Sequence, residues 1–433
     1  ARAIRRRVGR FSKNGTKKNY GPLFGLKKNL FDNSCSGKET VYYTANSGDA
    51  SDVTFWRKNY VGSKNLTVSG KNCNTTACGD TNCLRTPLVN DDNKSIAEQK
   101  LIPGNIYWAV EQWTADPSQF KNGGKYSQYC SIEEWNTSKV TNMSELFEGL
   151  TVYSFNGYIG GWDVSMVTSM ASMFKGTTGS LNLGDDLNGW DTSSVVDMSN
   201  MFQSWSGGRT NVQGLANWDT SNVTDMSGMF YFVIVPDGIS NWDTSSVVEM
   251  NTMFIDAQAF NADISGWGVS SVTNMRYMFN RAYAFNQDIG SWDVSNVTDM
   301  LGMFGNTQSF NNGGVGGENI GLDKWKVGKV TDMRSMFDRT QLFDQNIGSW
   351  DVSNVTNMRY MFTSAKLFNN GGVGGSGQGL DKWDVSNVTW MDYMFRDATS
   401  FKQNLRQIEF THYVWKHLAC QKYHGLNLNL RYH

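Results

Sequence analysis

The 433-residue sequence predicts an α/β solenoid of about ten stacked coils, each with a short parallel strand and a one-turn helix, preceded by a small Cys-rich region. Three observations predict it. A tryptophan recurs at Trp135, Trp162, Trp190, Trp218, Trp242, Trp267, Trp292, Trp325, Trp350 and Trp383, with a base spacing of 25 residues. Taking each Trp as position 0, Val stands at +5, Met at +8 and Phe at +12 in all ten copies, and Ile or Leu stands at −3. The two spacings of 33 are the base period plus eight residues, so whole insertions enter without disturbing the pattern. Self-similarity at such a period is the signature of units that cannot bury their apolar face alone and must stack.

Within one unit the order is legible. Val-Thr at +5 and +6 is β-branched and short, and predicts a strand of three to five residues. The residue at +7 is usually Asp or Asn (Asp299, Asp332, Asn357), a good helix N-cap. Met at +8, Met at +11 (Leu146 in the first copy) and Phe at +12 then share one face of a single helical turn. A second Phe at +18 (Phe260, Phe285, Phe310, Phe343, Phe368, Phe401) opens another short extended segment. If strands pair between coils, ten coils span about 48 Å at roughly 4.8 Å each. The Met column can ligate soft metals in principle. Its alternation with Phe and Val at core spacing instead predicts packing, which suits methionine's flexible chain.

The flanks differ from the repeats. Residues 1–30 form a basic arm with ten Lys or Arg and no acid, while the rest of the chain carries −11. Such an arm suits a flexible tail or a neutralising contact with an acidic body better than nucleic acid. Residues 31–105 form a Cys-rich region holding Cys35, Cys73, Cys78 and Cys83; Cys130 and Cys420 complete an even count that predicts disulfides and an oxidising compartment. The repeats and a helical N-terminal cap, "NIYWAVEQWTADPSQF", occupy 106–405. Residues 406–433 lack the repeat and form a terminal cap or docking segment. No apolar run is long enough to span a bilayer. The start at Ala1 without an apolar leader core suggests a mature or trimmed product.

Candidate chemistry is sparse. All four histidines (His412, His417, His424, His433) lie in the tail, so no His-based triad can sit in the repeats. His417, Cys420 and His424 have helical spacing for zinc but lack a fourth ligand. Asp follows the Trp in seven copies, which favours Asx turns. A calcium column is the alternative, but Asn136, Gly268 and Lys326 interrupt it, so no cofactor is expected. Sequons make Asn65, Asn74, Asn93, Asn136, Asn222, Asn296, Asn354 and Asn387 glycosylation candidates, with Asn14 and Asn142 also matching. The Gly-rich insertions "NNGGVGGENIG" and "NNGGVGGSGQG" map to one edge, and Asn311, Asn312, Asn319, Asn369, Asn370 and Gln378 are the interaction-loop candidates. One Thr per coil at +6 is a poor match to a flat paired-Thr ice-binding surface.

The string Trp-Asp-Val-Ser-x-Val-Thr-x-Met-x-x-Met-Phe followed by Phe-Asn-x-x-Ile resembles the BspA-like surface-protein repeat, over about Ile106 to Leu405. The resemblance implies a leucine-rich-repeat-like, extracellular, non-enzymatic protein that contacts other surface or matrix proteins or glycans. It predicts a secreted or cell-surface location. The alternative is a homo-oligomeric filament, sheath or appendage subunit assembled through the termini and Gly-rich bulges.

Overall fold

The computed structural model describes residues 86–121, 123–150, 159–177, 182–184, 186–204, 211–212, 214–235, 238–316, 321–372, 379–403 and 405, and the strands at 41–45, 53–58 and 65–69. The chain divides into two compact units, Ala1–Thr81 and Asn82–His433. The first contains an antiparallel sheet of β1 (Val41–Ala45), β2 (Val53–Lys58) and β3 (Asn65–Ser69), ordered β1-β2-β3. Val41 pairs with Arg57, and Phe55 with Val68.

The second unit holds the repeats. It begins with β4 (Pro87–Val89) and two helices, α1 (Ile96–Gln99) and α2 (Ile106–Ala115). Ser95 and Glu98 form a capping box on α1, and Asn105 Oδ1 caps α2 by accepting from the Tyr107 N–H. Ile106, Ala109, Val110 and Trp113 of α2 are buried against the first repeat. β4 pairs in parallel with β5 (Asn136–Lys139) of that repeat.

From repeat to repeat the constant residues form continuous buried columns. Val at +5, Met at +8 and Phe at +12 are almost wholly inaccessible throughout. The +12 phenylalanines stack from Phe147 to Phe395 with centroids 5.5–5.9 Å apart and planes within 11°. From repeat five on, the +18 Phe packs face to face on the +12 Phe of its own repeat at 3.8–4.1 Å. Offset stacking of this kind adds to burial about 0.5–1.5 kcal/mol per pair.

The backbone departs from the expected strand and one-turn helix. Each repeat contributes one parallel bridge at +7, from Asn142–Ser169 through Asn357–Trp390, rather than a strand of several residues. The reason is a reversal of donor direction. The N–H at +6 donates back to the preceding repeat (Thr298 to the Thr273 carbonyl, 2.8 Å), whereas the N–H groups at +8, +10, +12 and +14 donate forward. In repeat seven, Met300, Gly302, Phe304 and Asn306 donate to the carbonyls of Asp332, Arg334, Met336 and Asp338. The intervening N–H groups close turns within the repeat, as Met303 does to the Met300 carbonyl. This alternation needs left-handed residues at +10 and, in nearly every repeat, at +14 (Gly302 φ 60°, Asn306 φ 60°), which no right-handed helix contains. The expected N-cap Asp or Asn at +7 instead makes an Asx turn, with Asp299 Oδ1 accepting from the Leu301 N–H at 2.8 Å. Met and Phe still point inward because the alternating turn, like a helix, places +8, +11 and +12 on one side.

Two insertions in the early repeats form structure of their own. β6 (Asn182–Gly184) pairs in parallel with β7 (Asn211–Val212), extending the repeat-to-repeat register outside the core.

Candidate functional site: the variable face of repeats six to ten

Conserved polar residues of the repeat proved to be its frame. The Trp indole N–H donates to the −3 carbonyl of the preceding repeat in nine successive cases, from Trp162 to Ile132 (2.8 Å) through Trp383 to Ile347 (3.2 Å). The +1 carboxylates, read as turn formers with calcium as the alternative, accept from their own +3 serine: Asp243 from the N–H and hydroxyl of Ser245 at 3.0 and 2.6 Å. Those serine bonds hold the carboxyls of Asp243 and Asp293 below the usual range, in Asp384 the Ser386 backbone bond leads, and Asp263, at −4 in its repeat, is lowered in the same way by Ser265. Among the described residues no three acids, histidines or cysteines gather as a metal cluster.

Four of the sequon asparagines share position +4, and their amide nitrogen, the atom a glycan would take, is already a donor. Asn222, Asn296, Asn354 and Asn387 donate to the carbonyls of Ser193, Ser270, Gly328 and Ser353 in the preceding repeat at 2.7–2.8 Å. Asn93 is exposed, and Asn136 Oδ1 accepts from the Ser138 hydroxyl. Asn65 lies on β3, with only its backbone described, and Asn74 lies outside the described residues.

The interaction-loop reading is corrected at two of its six residues. Asn312 and Asn370 are fully buried rather than presented to a partner. Each accepts from the N–H two positions after a Gln, Gln287 or Gln345: Asn312 Oδ1 from Ile289 (2.8 Å) and Asn370 Oδ1 from Ile347 (2.9 Å). Asn311 and Asn369 belong to a side-chain ladder at +19. Asn261, Asn286, Asn311, Asp344 and Asn369 each accept from the +19 N–H of the following repeat at 2.7–2.9 Å. Burial of these amides satisfies backbone groups that the insertions would otherwise strand. Asn319 and Gln378 lie outside the described residues, as do Cys35, Cys73, Cys78, Cys83, Cys420, the four histidines and the basic arm. Cys130 is disulfide-bonded.

Where the repeats disagree, a different surface emerges. Position +10 takes a left-handed backbone that favours small residues; Ser172, Asn200, Gly228, Gly302 and Ser335 suit it, while Glu145 and Thr252 also adopt it, at φ 58° and 59°. Tyr277, Tyr360 and Tyr393 occupy the same position at φ 54–58°. An aromatic residue there is a conformational outlier. The three rings are held in place. Tyr360 stacks on Tyr393 at 5.4 Å and 7°, Arg276 lies over Tyr277 at 5.3 Å, and Arg359 lies over Tyr360 and Trp390, both at 5.5 Å. Arg396 lies over Tyr393 at 5.6 Å. Trp390 and Tyr393 are 44% and 40% exposed, large for rings of this size.

Charge on this face is balanced. Arg359 Nε lies 3.1 Å from Asp392, Arg281 lies 3.3 Å from Asp256, and Arg334 lies 3.7 Å from Asp332. Asp338 differs: its Oδ1 is buried without a hydrogen-bond partner, and burial pushes its carboxyl above the usual range despite Arg339. None of these residues is constant among the copies, so the repeat pattern conceals them. Aligning the ten copies and asking which variable column holds large residues where small ones fit would have found the tyrosines.

Comparison with known proteins gives one match. The profile of the family described as Mycoplasma protein of unknown function, DUF285, matches three times in tandem, at residues 117–231, 204–316 and 314–430. No curated protein and no solved structure matches the chain. Three tandem matches running from residue 117 to residue 430, over all ten repeats, place the chain in the DUF285 family of repeat proteins.

Proposed function

We propose that the chain is a non-enzymatic extracellular surface protein, a leucine-rich-repeat-like solenoid of the BspA-like kind that serves as a scaffold for protein or glycan contact. The observation that carries this reading is the variable face of repeats six to ten, where the half-buried Tyr277 and Tyr360 and the exposed Tyr393 sit on a left-handed backbone that penalises them. Strain of this sort, at order 1–3 kcal/mol per residue, clusters at functional positions. The rest of the array spends its invariant residues on repeat-to-repeat bonds, which suits a rigid display surface. The Cys130 disulfide and the even cysteine count support an oxidising compartment. The surface location itself is read from these features and from the sequence resemblance.

The test is a solid-phase binding survey of the intact chain against extracellular matrix proteins and immobilised glycans. Saturable binding to at least one is expected. Absence of saturable binding to every surface tried overturns the scaffold reading.

A further inference from the structure

Tyr360 and Tyr393 hold position +10 in repeats nine and ten, 33 residues apart in the chain. Their backbones are locked side by side. The Tyr360 N–H donates to the Asp392 carbonyl at 3.0 Å, and the Thr363 hydroxyl donates to the Tyr393 carbonyl at 2.5 Å. Both residues are left-handed, at φ 58° and 56°. Their rings stack with centroids 5.4 Å apart and planes within 7°. Among the described residues no other two tyrosines are in ring contact. Tyr277 has Thr252 and Gly302 as its neighbours in the column, and its ring lies over Gly302. Tyr393 is exposed and Tyr360 half-buried, so a small solute reaches the pair. A left-handed backbone penalises an aromatic residue, and here it does so in two adjacent repeats. The outcome is two phenols held against each other on the surface.

We propose that Tyr360 and Tyr393 are a site of oxidative modification, joined within the chain as a dityrosine with hydrogen peroxide as the oxidant. Each phenol loses one electron and its hydroxyl proton and becomes a phenoxyl radical. Part of the unpaired spin lies on the ring carbons beside the oxygen, the Cε atoms. Two such carbons pair their electrons in a new Cε–Cε bond. The hydrogen on each of them moves to its phenol oxygen and restores the aromatic rings. The two electrons and two protons given up at the start reduce one peroxide to two waters, so the pair loses two hydrogens overall. Rotation about the Cα–Cβ and Cβ–Cγ bonds brings the ring edges together. Neighbouring radicals couple faster than separate molecules meet, because the array has already placed them. The product is a staple across the junction of repeats nine and ten. It lies outside the core and leaves the Phe362–Phe395 stack beneath it in place. Closing a loop through 33 residues restricts the unfolded chain, as a disulfide does. The proposal is independent of what the variable face contacts, a role that Tyr277 keeps.

The experiment treats the intact chain, in dilute solution, with hydrogen peroxide and a peroxidase. The single-chain fraction, separated under reducing and denaturing conditions, is then examined by dityrosine fluorescence and peptide mapping. A peptide pair joining Tyr360 to Tyr393, lighter by two hydrogens than the unlinked pair, is expected, with a Tm raised by several degrees in the oxidised folded chain. Tyr360→Phe and Tyr393→Phe each keep the ring and remove one phenol. Both are expected to melt like the parent before oxidation and to lose the fluorescence of the single-chain fraction and the rise in Tm. Tyr277→Phe is expected to change neither. No Tyr360–Tyr393 link at an oxidant dose that couples free tyrosine overturns the proposal. So does coupling of these residues only between chains, oxidation of Trp390 in place of the link, or single-chain dityrosine that both Phe variants leave undiminished. A link that leaves Tm unchanged overturns the staple role. The solid-phase binding survey reads none of these outcomes, so the scaffold reading and the cross-link fail separately.

Discussion

The indole Nε1 of Trp350 donates to the Leu322 carbonyl of the preceding repeat at 2.8 Å, inside the core. The bond makes Trp a joint between repeats as well as a packing residue. Trp350→Phe keeps most of the ring but strands a buried carbonyl, and is expected to cost about 1–3 kcal/mol. Trp350→Ala also opens a cavity and is expected to cost about 3–5 kcal/mol. Urea unfolding followed by circular dichroism separates the two.

The buried amide of Asn370 answers the Ile347 N–H at 2.9 Å, and Asn312 answers Ile289 in the same way. Asn370→Ala leaves that N–H buried and unsatisfied, so a loss of about 1–3 kcal/mol is expected. Ligand binding at the variable face should be unchanged when measured below the melting transition. An Asn370→Ala variant as stable as the parent would return this residue to the surface role that its loop position suggests.

Acid should weaken the fold in a defined window. The folded pKa values of Asp243, Asp263, Asp293 and Asp384 are depressed by Ser245, Ser265, Ser295 and Ser386. Stability from these groups is present above the unfolded carboxylate value, about 3.9, and is lost as pH falls through the folded values. Asp338 acts oppositely, because burial raises its folded pKa. Its share of stability grows as pH falls from neutral through that raised value. Asp338→Asn is therefore expected to stabilise the chain at pH 7 and to remove this gain on mild acidification. Melting curves from pH 7 to pH 3 check both signs.

Much of this architecture is legible in the spacing of apolar residues. The columns of Val297, Met300, Met303 and Phe304 follow from the 25-residue period, and all four are buried. The local backbone was not legible for a physical reason. Met at +8 and +11 with Phe at +12 satisfies an inward face whether the chain forms a helical turn or alternates right- and left-handed residues. Only the small or polar residues at +10, Gly228, Gly302 and Asn200 among them, mark the second choice. The variable face was hidden by the same redundancy. Tyr277, Tyr360 and Tyr393 occur in three repeats of ten, and counting what is constant discards what varies. The Gly-rich loops drew attention by their length, yet the asparagines that open them, Asn312 and Asn370, are buried frame.

The forward direction of the +8 to +14 ladder makes the two ends of the array unlike. The first repeat turns the Ser144 carbonyl toward the N-terminal cap, and the Tyr107 hydroxyl of α2 donates to it at 2.9 Å. The Thr141 N–H points the same way and is met by Asn90 Oδ1 at 2.7 Å. Burial raises the Tyr107 phenol pKa, consistent with a neutral donor. Tyr107→Phe removes that donor, and the expected loss is about 1–2 kcal/mol. Because each repeat bonds chiefly to its neighbours, the damage should be local. Hydrogen exchange is expected to speed at Met143, Glu145 and Phe147 in repeat one and to fade by repeat six, where Met275, Tyr277 and Phe279 donate to repeat seven. Equal acceleration at both ends would mean that the array opens as a single cooperative block and that the cap is not a local closure.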